Sequence, residues 1–412
     1  MKIAVIGKGT SAIITALSLI KEGHEIEIFY DPESPHLSVG ESTTPHIGEL
    51  INSTLDFSIG RLNDRGIVSF KNGIKFIGWG EQEYFRHHFN DNSPAFHFET
   101  GVFNPFIHDL MKKQLNVVYH AERVDDYEID TEIEKIIINN KNYDFMVNCS
   151  GWNDSTNYYE PYFPTVNSAI LYTENNIEDS TYTLHRATPH GWQFGLPFPD
   201  KGITKCGYLF NSDYDKVEDI EKLFEGKEYK KISWKPKYHN KIVENRFVAY
   251  NGNRLFFFEP LQALSLLYYN SSIDLIIRFL STGRSTHSYY KVNKKYLELM
   301  YGYHISLALH YQYGSKYDTV FWNNTKEYAL KYLNHHPAYR RESLYDQYYG
   351  DKISNNIDDS LSDILSLGCF QSIDYRDIHG GMTGIDLDSV PESDHNIFHY
   401  PTIEHKTNCK KD

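Results

Sequence analysis

With 412 residues, the chain can bury a large core and form two or three lobes, or one large α/β unit carrying an inserted region. A formal net charge of −14, from 41 basic and 55 acidic residues, argues against nonspecific binding to nucleic acid or to an anionic membrane. The four cysteines, Cys149, Cys206, Cys369 and Cys409, lie far apart with no Cys/His spacing suited to zinc, so no metal site and a reducing, cytoplasmic compartment are expected.

The chain opens on an apolar strand, Ile3 to Ile6, that runs into Gly7-Lys8-Gly9-Thr10-Ser11-Ala12 and a helix to Ile20. These glycines break the apolar core that a signal peptide needs, so the segment reads as mature structure. No later run approaches the roughly 20 apolar residues of a membrane helix. Gly7 permits a tight turn, Gly9 lets backbone approach a pyrophosphate, and the small Ala12 lets the helix pack close to the strand. The free N–H groups at the helix start, around Thr10 and Ser11, suit phosphates. A second strand, Glu25 to Tyr30, leads to Asp31, which lies 22 positions after Gly9 and suits a carboxylate accepting from ribose hydroxyls. On these residues alone a dinucleotide is expected, NAD as readily as FAD. The alternative is that the glycines only close a strand–helix turn.

Val39-Gly40-Glu41-Ser42-Thr43-Thr44-Pro45 is a polar turn feeding a helical pattern from Ile47 to Ile51, with Thr43 or Thr44 placed to cap it. Ile67 to Trp79 alternates as a strand pair or one long strand bent at Gly73, and alternation sends Lys71 and Lys75 to one face. Phe96-His97-Phe98-Glu99 precedes a helix over Asn104 to Gln114. Short strands follow at Val117 to His120, Glu128 to Asp130, Lys135 to Asn139 and Phe145 to Cys149. The last ends at Cys149-Ser150-Gly151, where small residues let backbone pass close beneath a cofactor. From 160 to 258 the chain is strand-rich, with strands expected at Asn167 to Thr173, Thr181 to Arg186, Trp192 to Leu196, Lys205 to Phe210, Arg246 to Ala249 and Leu255 to Phe258. Lys227 to Lys241 holds several lysines but reads as a solvated loop or edge face. Gln262 to about Asn334 is helical, with Leu264, Leu267, Leu275, Ile276 and Phe279 on buried faces. A short helix is expected at Ile357 to Leu367, and residues 386 to 412 read as loosely ordered.

Taken in order, GKGTSA, VGESTTP, Phe70-Lys71, FHFE, Asn148 to Gly151, GWQFGLP at Gly191 to Pro197, Phe257 to Leu261, His310-Tyr311 and Phe321-Trp322 resemble the flavin-dependent halogenases of the tryptophan-halogenase type. The resemblance spans roughly residues 1 to 325. It implies an α/β fold: an FAD-binding Rossmann-like lobe of flavin monooxygenase type with a mixed sheet and helical substrate region. The lobe is expected over residues 1–151, open to completion by later segments, the substrate region over 152–335, and a divergent C-terminal segment over 336–412. The activity implied is that reduced FAD, oxygen and halide yield hypohalous acid, which halogenates an electron-rich aromatic small molecule. A separate flavin reductase is implied as partner, since no second nucleotide motif is visible.

By the same resemblance, Gly7, Gly9, Thr10, Ser11, Ala12, Asp31, Gly40, Glu41, Ser42, Thr43 and Gly151 bind the cofactor. Lys71 is the catalytic lysine, polarising hypohalous acid as an ammonium or, partly desolvated with a lowered pKa, carrying halogen as an N-haloamine. The bare residue, without the family, reads as a solvated strand lysine. The backbone N–H groups of Leu264 and Ser265 bind halide, Ser265 standing where relatives have glycine. His97, Trp192, Phe194 and Gln262 face the substrate.

Two departures stand out. In the WxWxIP signature the second tryptophan is Phe194, which keeps bulk and loses the indole N–H. The family's catalytic glutamate and the serine after it fall at Gln262 and Ala263, and glutamine cannot act as a base. Three outcomes are therefore weighed: a halogenase whose substrate loses its proton to water or a neighbour, a flavin monooxygenase hydroxylating a small molecule, and a non-catalytic FAD-binding protein. Lys71 favours the first. The stretches around Phe96 to Phe103 and the C-terminal part depart most from tryptophan-specific members, and oligomeric state is left open.

Overall fold

The computed structural model describes residues 1–34, 40–89, 95–151, 157–162, 165–335, 378 and 380–384. The helix expected at 357–367 and the tail at 386–412 lie outside the described residues.

The N-terminal strand Lys2–Ile6 sits inside a six-stranded sheet, flanked by Glu25–Phe29 on one side and Phe145–Asn148 on the other. All three run parallel, with Ile3 opposite Phe145 and Lys2 opposite Glu25. Val118–His120 extends one edge, while Val248–Tyr250 and the antiparallel Val243–Asn245 extend the other. A near-continuous apolar strand is what a parallel sheet covered on both faces demands. Ile3 and Val5 accordingly join the main core, and Ala4 and Ile6 join a second cluster with Ile136, Ile138 and Met146. That second face is covered by a small antiparallel sheet, Glu128–Asp130, Lys135–Ile138 and Lys141–Tyr143. The first face carries the helix Thr10–Lys21, which packs on Leu264–Ser281.

The largest layer is a seven-stranded sheet ordered Tyr229–Ser233, Ser168–Glu174, Ile203–Phe210, Gly191–Phe198, Tyr182–Thr188, Gly73–Ile77 and Tyr84–His88. Its pairs are antiparallel except Tyr182–Thr188 with Gly73–Ile77. The lysine-rich stretch forms the outer strand at 229–233, where exposed Lys230 and Lys231 discourage further pairing. A three-stranded sheet joins Gly40–Ser42, Ala95–Glu99 and Val68–Lys71, with Ala95–Glu99 in the middle. Helices Thr286–Tyr311 and Val320–His335 complete the helical region.

One local expectation fails. Val68–Lys71 and Gly73–Ile77 neither pair nor continue as one strand; they belong to different sheets. The break follows from Gly73, where a Cβ would stand 2.1 Å from the His87 carbonyl oxygen, so the chain hugs its neighbour and changes direction. The shared face predicted for Lys71 and Lys75 is lost with it. Lys71 is fully buried, whereas Lys75 reaches the partly exposed Glu178 at 3.1 Å.

Candidate active site

The glycine loop is built as its sequence requires. Gly7 adopts φ +118°, and a Cβ there would lie 2.6 Å from the Cys149 carbonyl oxygen. The loop is tied down by Gly7 N–H donating to Phe29 O and Cys149 N–H donating to Ile6 O, both at 2.7 Å. His108 holds its far side, donating from Nε2 to the Lys8 carbonyl at 3.0 Å. Gly9 stands at the N-cap of the helix Thr10–Lys21 with no side-chain cap, and none of the described residues lies within 4 Å of where its Cβ would be. The helix therefore opens its first N–H groups onto empty space.

That space is one end of a cavity of about 1510 Å³. A pocket for one small ligand is typically about 300–1,000 Å³, so an extended dinucleotide with further volume fits. Of the sequence-predicted residues, Gly7, Gly9, Thr10, Ser11, Asp31, Gly40, Glu41, Ser42, Gly151, Phe194 and Ser265 line it. Ala12, Thr43, Lys71, His97, Trp192, Gln262 and Leu264 are buried and do not line it. The capless helix start, the open space over Gly9 and Gly151, and a carboxylate at Asp31 together fit FAD. Sequence reasoning missed other wall residues, among them Asn104, Arg123, Trp234, Asn253 and Tyr269. Arg123 sits 3.9 Å from Asp31, a proximity no local pattern announces.

The Gly40–Thr44 turn connects this cavity to Lys71. Glu41 accepts from Thr10 Oγ1 at 3.1 Å, and burial pushes its carboxyl up to about 7. Thr43 is no helix cap: its hydroxyl donates to Phe96 O and accepts from Phe96 N–H, stapling the turn to the middle strand. Thr44 holds the N-cap position of the following helix, with Pro45 in its first turn, and its side chain makes no cap bond. Lys71 stands opposite the small Ala95 on that middle strand. Its Nζ donates to Thr43 O at 2.9 Å and to Ser42 Oγ at 3.3 Å, and lies 4.9 Å from the centre of the Phe89 ring. Among the described residues no acid pairs with it, and burial alone pulls its amine down to about 7.

The neighbouring polar groups are knitted across the two sheets. His97 bonds Thr183 Oγ1 through Nε2 at 2.8 Å, and Ser69, 3.5 Å from its Nδ1, donates to Pro197 O at 2.7 Å. Both nitrogens being engaged, burial and the Lys71 charge hold its pKa well below the usual histidine range. Trp192 donates from Nε1 to Tyr311 OH at 3.0 Å, and Tyr311 OH donates to the Glu259 carboxylate at 3.1 Å. Buried Glu259 is pushed up to about 7. Phe194 faces Gly207 across the strands, and its ring occupies the place a side chain at Gly207 would need.

Gln262 and Ala263 adopt left-handed conformations, φ 54° and 59°, immediately before the helix Leu264–Ser281. Two such residues in succession turn the chain sharply, so Ala263, Ser265 and Leu266 at the helix start all reach the cavity. The Gln262 side chain is clamped: His87 Nδ1 donates to its Oε1 at 3.1 Å, and its Nε2 donates to His310 Nε2. His310 Nδ1 is spent on Ser306 O at 2.6 Å, and burial lowers its pKa to about 4, so the ring is neutral and accepts.

A sequence model described as tryptophan halogenase matches residues 2–93 and 86–347. No curated protein sequence matches the chain. Among solved structures, a tryptophan 6-halogenase from Streptomyces toxytricini superposes with a TM-score of 0.74 at 18% identity, over 94% of this chain and 91% of that one. A tryptophan halogenase from Shewanella frigidimarina gives 0.73 at 16% identity, over 96% and 92%. A flavin-dependent halogenase from Brevundimonas sp. gives 0.72 at 16% identity, over 92% and 89%. At such identities the superpositions establish the shared fold, and the family match over most of the chain establishes the rest: the chain belongs to the tryptophan halogenase family of flavin-dependent enzymes.

Proposed function

We propose that this chain halogenates an electron-rich aromatic small molecule, of phenol or indole type, at a site governed by Lys71. The observation that carries this reading is Lys71 itself. A fully buried lysine with no acid partner among the described residues, pulled down to about 7, is expensive to keep, and it sits one hydrogen bond behind Ser42 in the cavity wall.

Gly7, Gly9, Thr10, Ser11, Ala12 and Asp31 would hold the nucleotide part of FAD, with Gly40, Glu41, Ser42, Thr43 and Gly151 near its ring. Bound and reduced, FAD supplies the electrons with which oxygen takes halide to the level of hypohalous acid. The N–H groups of Leu264 and Ser265 would hold the halide, since backbone alone suffices for that. Lys71 donates a hydrogen bond to the hypohalous acid, or takes halogen on its neutral amine, a form accessible near pH 7. Trp192 and Phe194 exclude water and separate the cofactor from the aromatic. His97 and Gln262, expected at the substrate, instead brace the cavity from the protein interior, Gln262 as a fixed amide rather than a base. A ring activated by its own hydroxyl or nitrogen tolerates that loss, since it needs only a weak proton acceptor.

A separate flavin reductase and a cytoplasmic setting complete the reading. The latter is supported by buried, free Cys149 and Cys206; no helix among the described residues is long and apolar enough to cross a membrane. The test is product formation from a phenol or indole with FAD, a reductase, NADH, oxygen and bromide. Halogenated product should fall at least about a hundredfold in Lys71→Ala while flavin oxidation continues. Equal product from the variant would overturn the assignment.

A further inference from the structure

Hypohalous acid is small, neutral and diffusible, so a cavity open toward solvent needs a feature that retains it near Lys71. Among the described residues, several buried side-chain polar atoms lack a hydrogen-bond partner, including Trp79 Nε1, Thr188 Oγ1 and Ser272 Oγ. Only one belongs to a residue lining the cavity: Nδ1 of His185, whose side chain is 1% exposed.

His185 is on the strand Tyr182–Thr188, two residues after Thr183, so both side chains point to one face. Thr183 bonds His97, which brings this face against the sheet that carries Lys71. Across the strands His185 is opposite Phe194, and both line the cavity. Its ring is fixed between Phe76, edge-on at 5.2 Å, and Trp192 at 4.7 Å, so it cannot swing away to find another partner. The Lys71 charge acts directly on it, and burial with that charge holds its pKa well below the usual histidine range. A neutral imidazole presents one lone pair and one N–H. Gln262 offers no competing acceptor in the cavity, because it is buried and does not line it.

We propose that His185 is the retaining residue of this enzyme: from the cavity wall, on the strand face that meets the Lys71 sheet through Thr183 and His97, its ring nitrogen accepts the O–H hydrogen bond of hypohalous acid. No bond to halogen forms or breaks at His185. It holds the electrophile until Lys71 engages it from behind Ser42, taking over the acceptor side of the work that a glutamate at position 262 would do. The inference rests on the halogenase reading of Lys71 given above.

The experiment uses the full chain with FAD, a flavin reductase, NADH, oxygen and bromide, and offers two acceptors together: an electron-rich phenol and a 1,3-dicarbonyl scavenger that reads free hypobromous acid. His185→Phe keeps an aromatic ring of similar bulk without an acceptor, and His185→Gln keeps an acceptor. The ratio of brominated phenol to brominated scavenger should fall about tenfold in His185→Phe, the equivalent of one lost hydrogen bond. It should stay within about threefold of the parent in His185→Gln, with flavin affinity equal in all three proteins. Should His185→Phe not fold, His185→Leu takes its place. An unchanged ratio in the variant lacking an acceptor overturns the proposal, as does an equal fall in His185→Gln. If the parent brominates neither acceptor, the halogenase reading itself fails. Bromination of the phenol with a ratio indifferent to His185 removes only the retaining role.

Discussion

Replacing Lys71 with methionine should remove activity and at the same time stabilise the protein at neutral pH. The side chain is fully buried and burial takes its amine from 10.5 to about 7. At 1.36 kcal/mol for each tenfold change in the protonation equilibrium, that corresponds to an upper bound of about 5 kcal/mol against folding at pH 7. Methionine removes this burden with a stem of similar length. It also loses the bonds to Thr43 O and Ser42 Oγ, about 1 kcal/mol each. The net expectation is a gain of about 1–3 kcal/mol at pH 7. The sign with pH follows from proton counting. The folded value lies below the unfolded one, so the unfolded chain binds more protons between pH 7 and 10.5, and the parent's stability rises across that window. The advantage of Lys71→Met should therefore shrink as pH approaches 10. Urea unfolding followed by tryptophan fluorescence at pH 7 and pH 10 reads both quantities. A variant less stable than the parent at pH 7, or a difference that does not change with pH, would refute the reasoning and make Lys71 a structural residue.

Other substitutions probe the surrounding parts. Gly7→Ala meets the Cys149 carbonyl and should lower the thermal midpoint by several degrees, whereas Gly9→Ala meets none of the described residues and should leave stability unchanged while weakening FAD binding at least tenfold in a fluorescence titration. Gln262→Glu places two acceptors face to face at His310 Nε2, so stability should drop by about 1–3 kcal/mol at pH 8 and recover toward pH 5 as the imidazole takes a proton; a uniform loss at both pH values would contradict the assigned tautomer. Glu259 is raised from 4.5 to about 7, so the folded chain binds more protons than the unfolded one between those values and stability falls as pH rises through them. Glu259→Gln should flatten that decline by about 1–3 kcal/mol in unfolding curves from pH 4.5 to 7, and an unaltered slope would show that another group is responsible.

The sequence was most legible where function needs a backbone pattern. Gly7, Gly9 and Asp31 all line the cavity because strand, glycine turn, helix and acid are local features. Lys71 was legible only through the family block around it, since an isolated strand lysine carries no sign of its burial. What escaped was made by residues far apart in the chain. The clamp on Gln262 joins positions separated by 175 and 48 residues, and no periodicity encodes it. No pattern in the strand around His185 marks it, and its unpartnered Nδ1 emerges only where Phe76 and Trp192 pack against the ring. The break at Gly73 was visible as a glycine, but its consequence depends on where the His87 carbonyl comes to rest. The strand at 229–233 was hidden by lysines whose polarity belongs to the sheet's edge.

The most direct test of the central claim follows both atoms that could reach the substrate. The full chain is supplied with reductase, NADH, FAD, bromide, isotopically labelled dioxygen and an electron-rich phenol, and the product is weighed by mass spectrometry. A product that gains bromine and no labelled oxygen, and that disappears in Lys71→Ala, is the predicted result. A product carrying labelled oxygen without bromine would contradict the account and make the protein a hydroxylase.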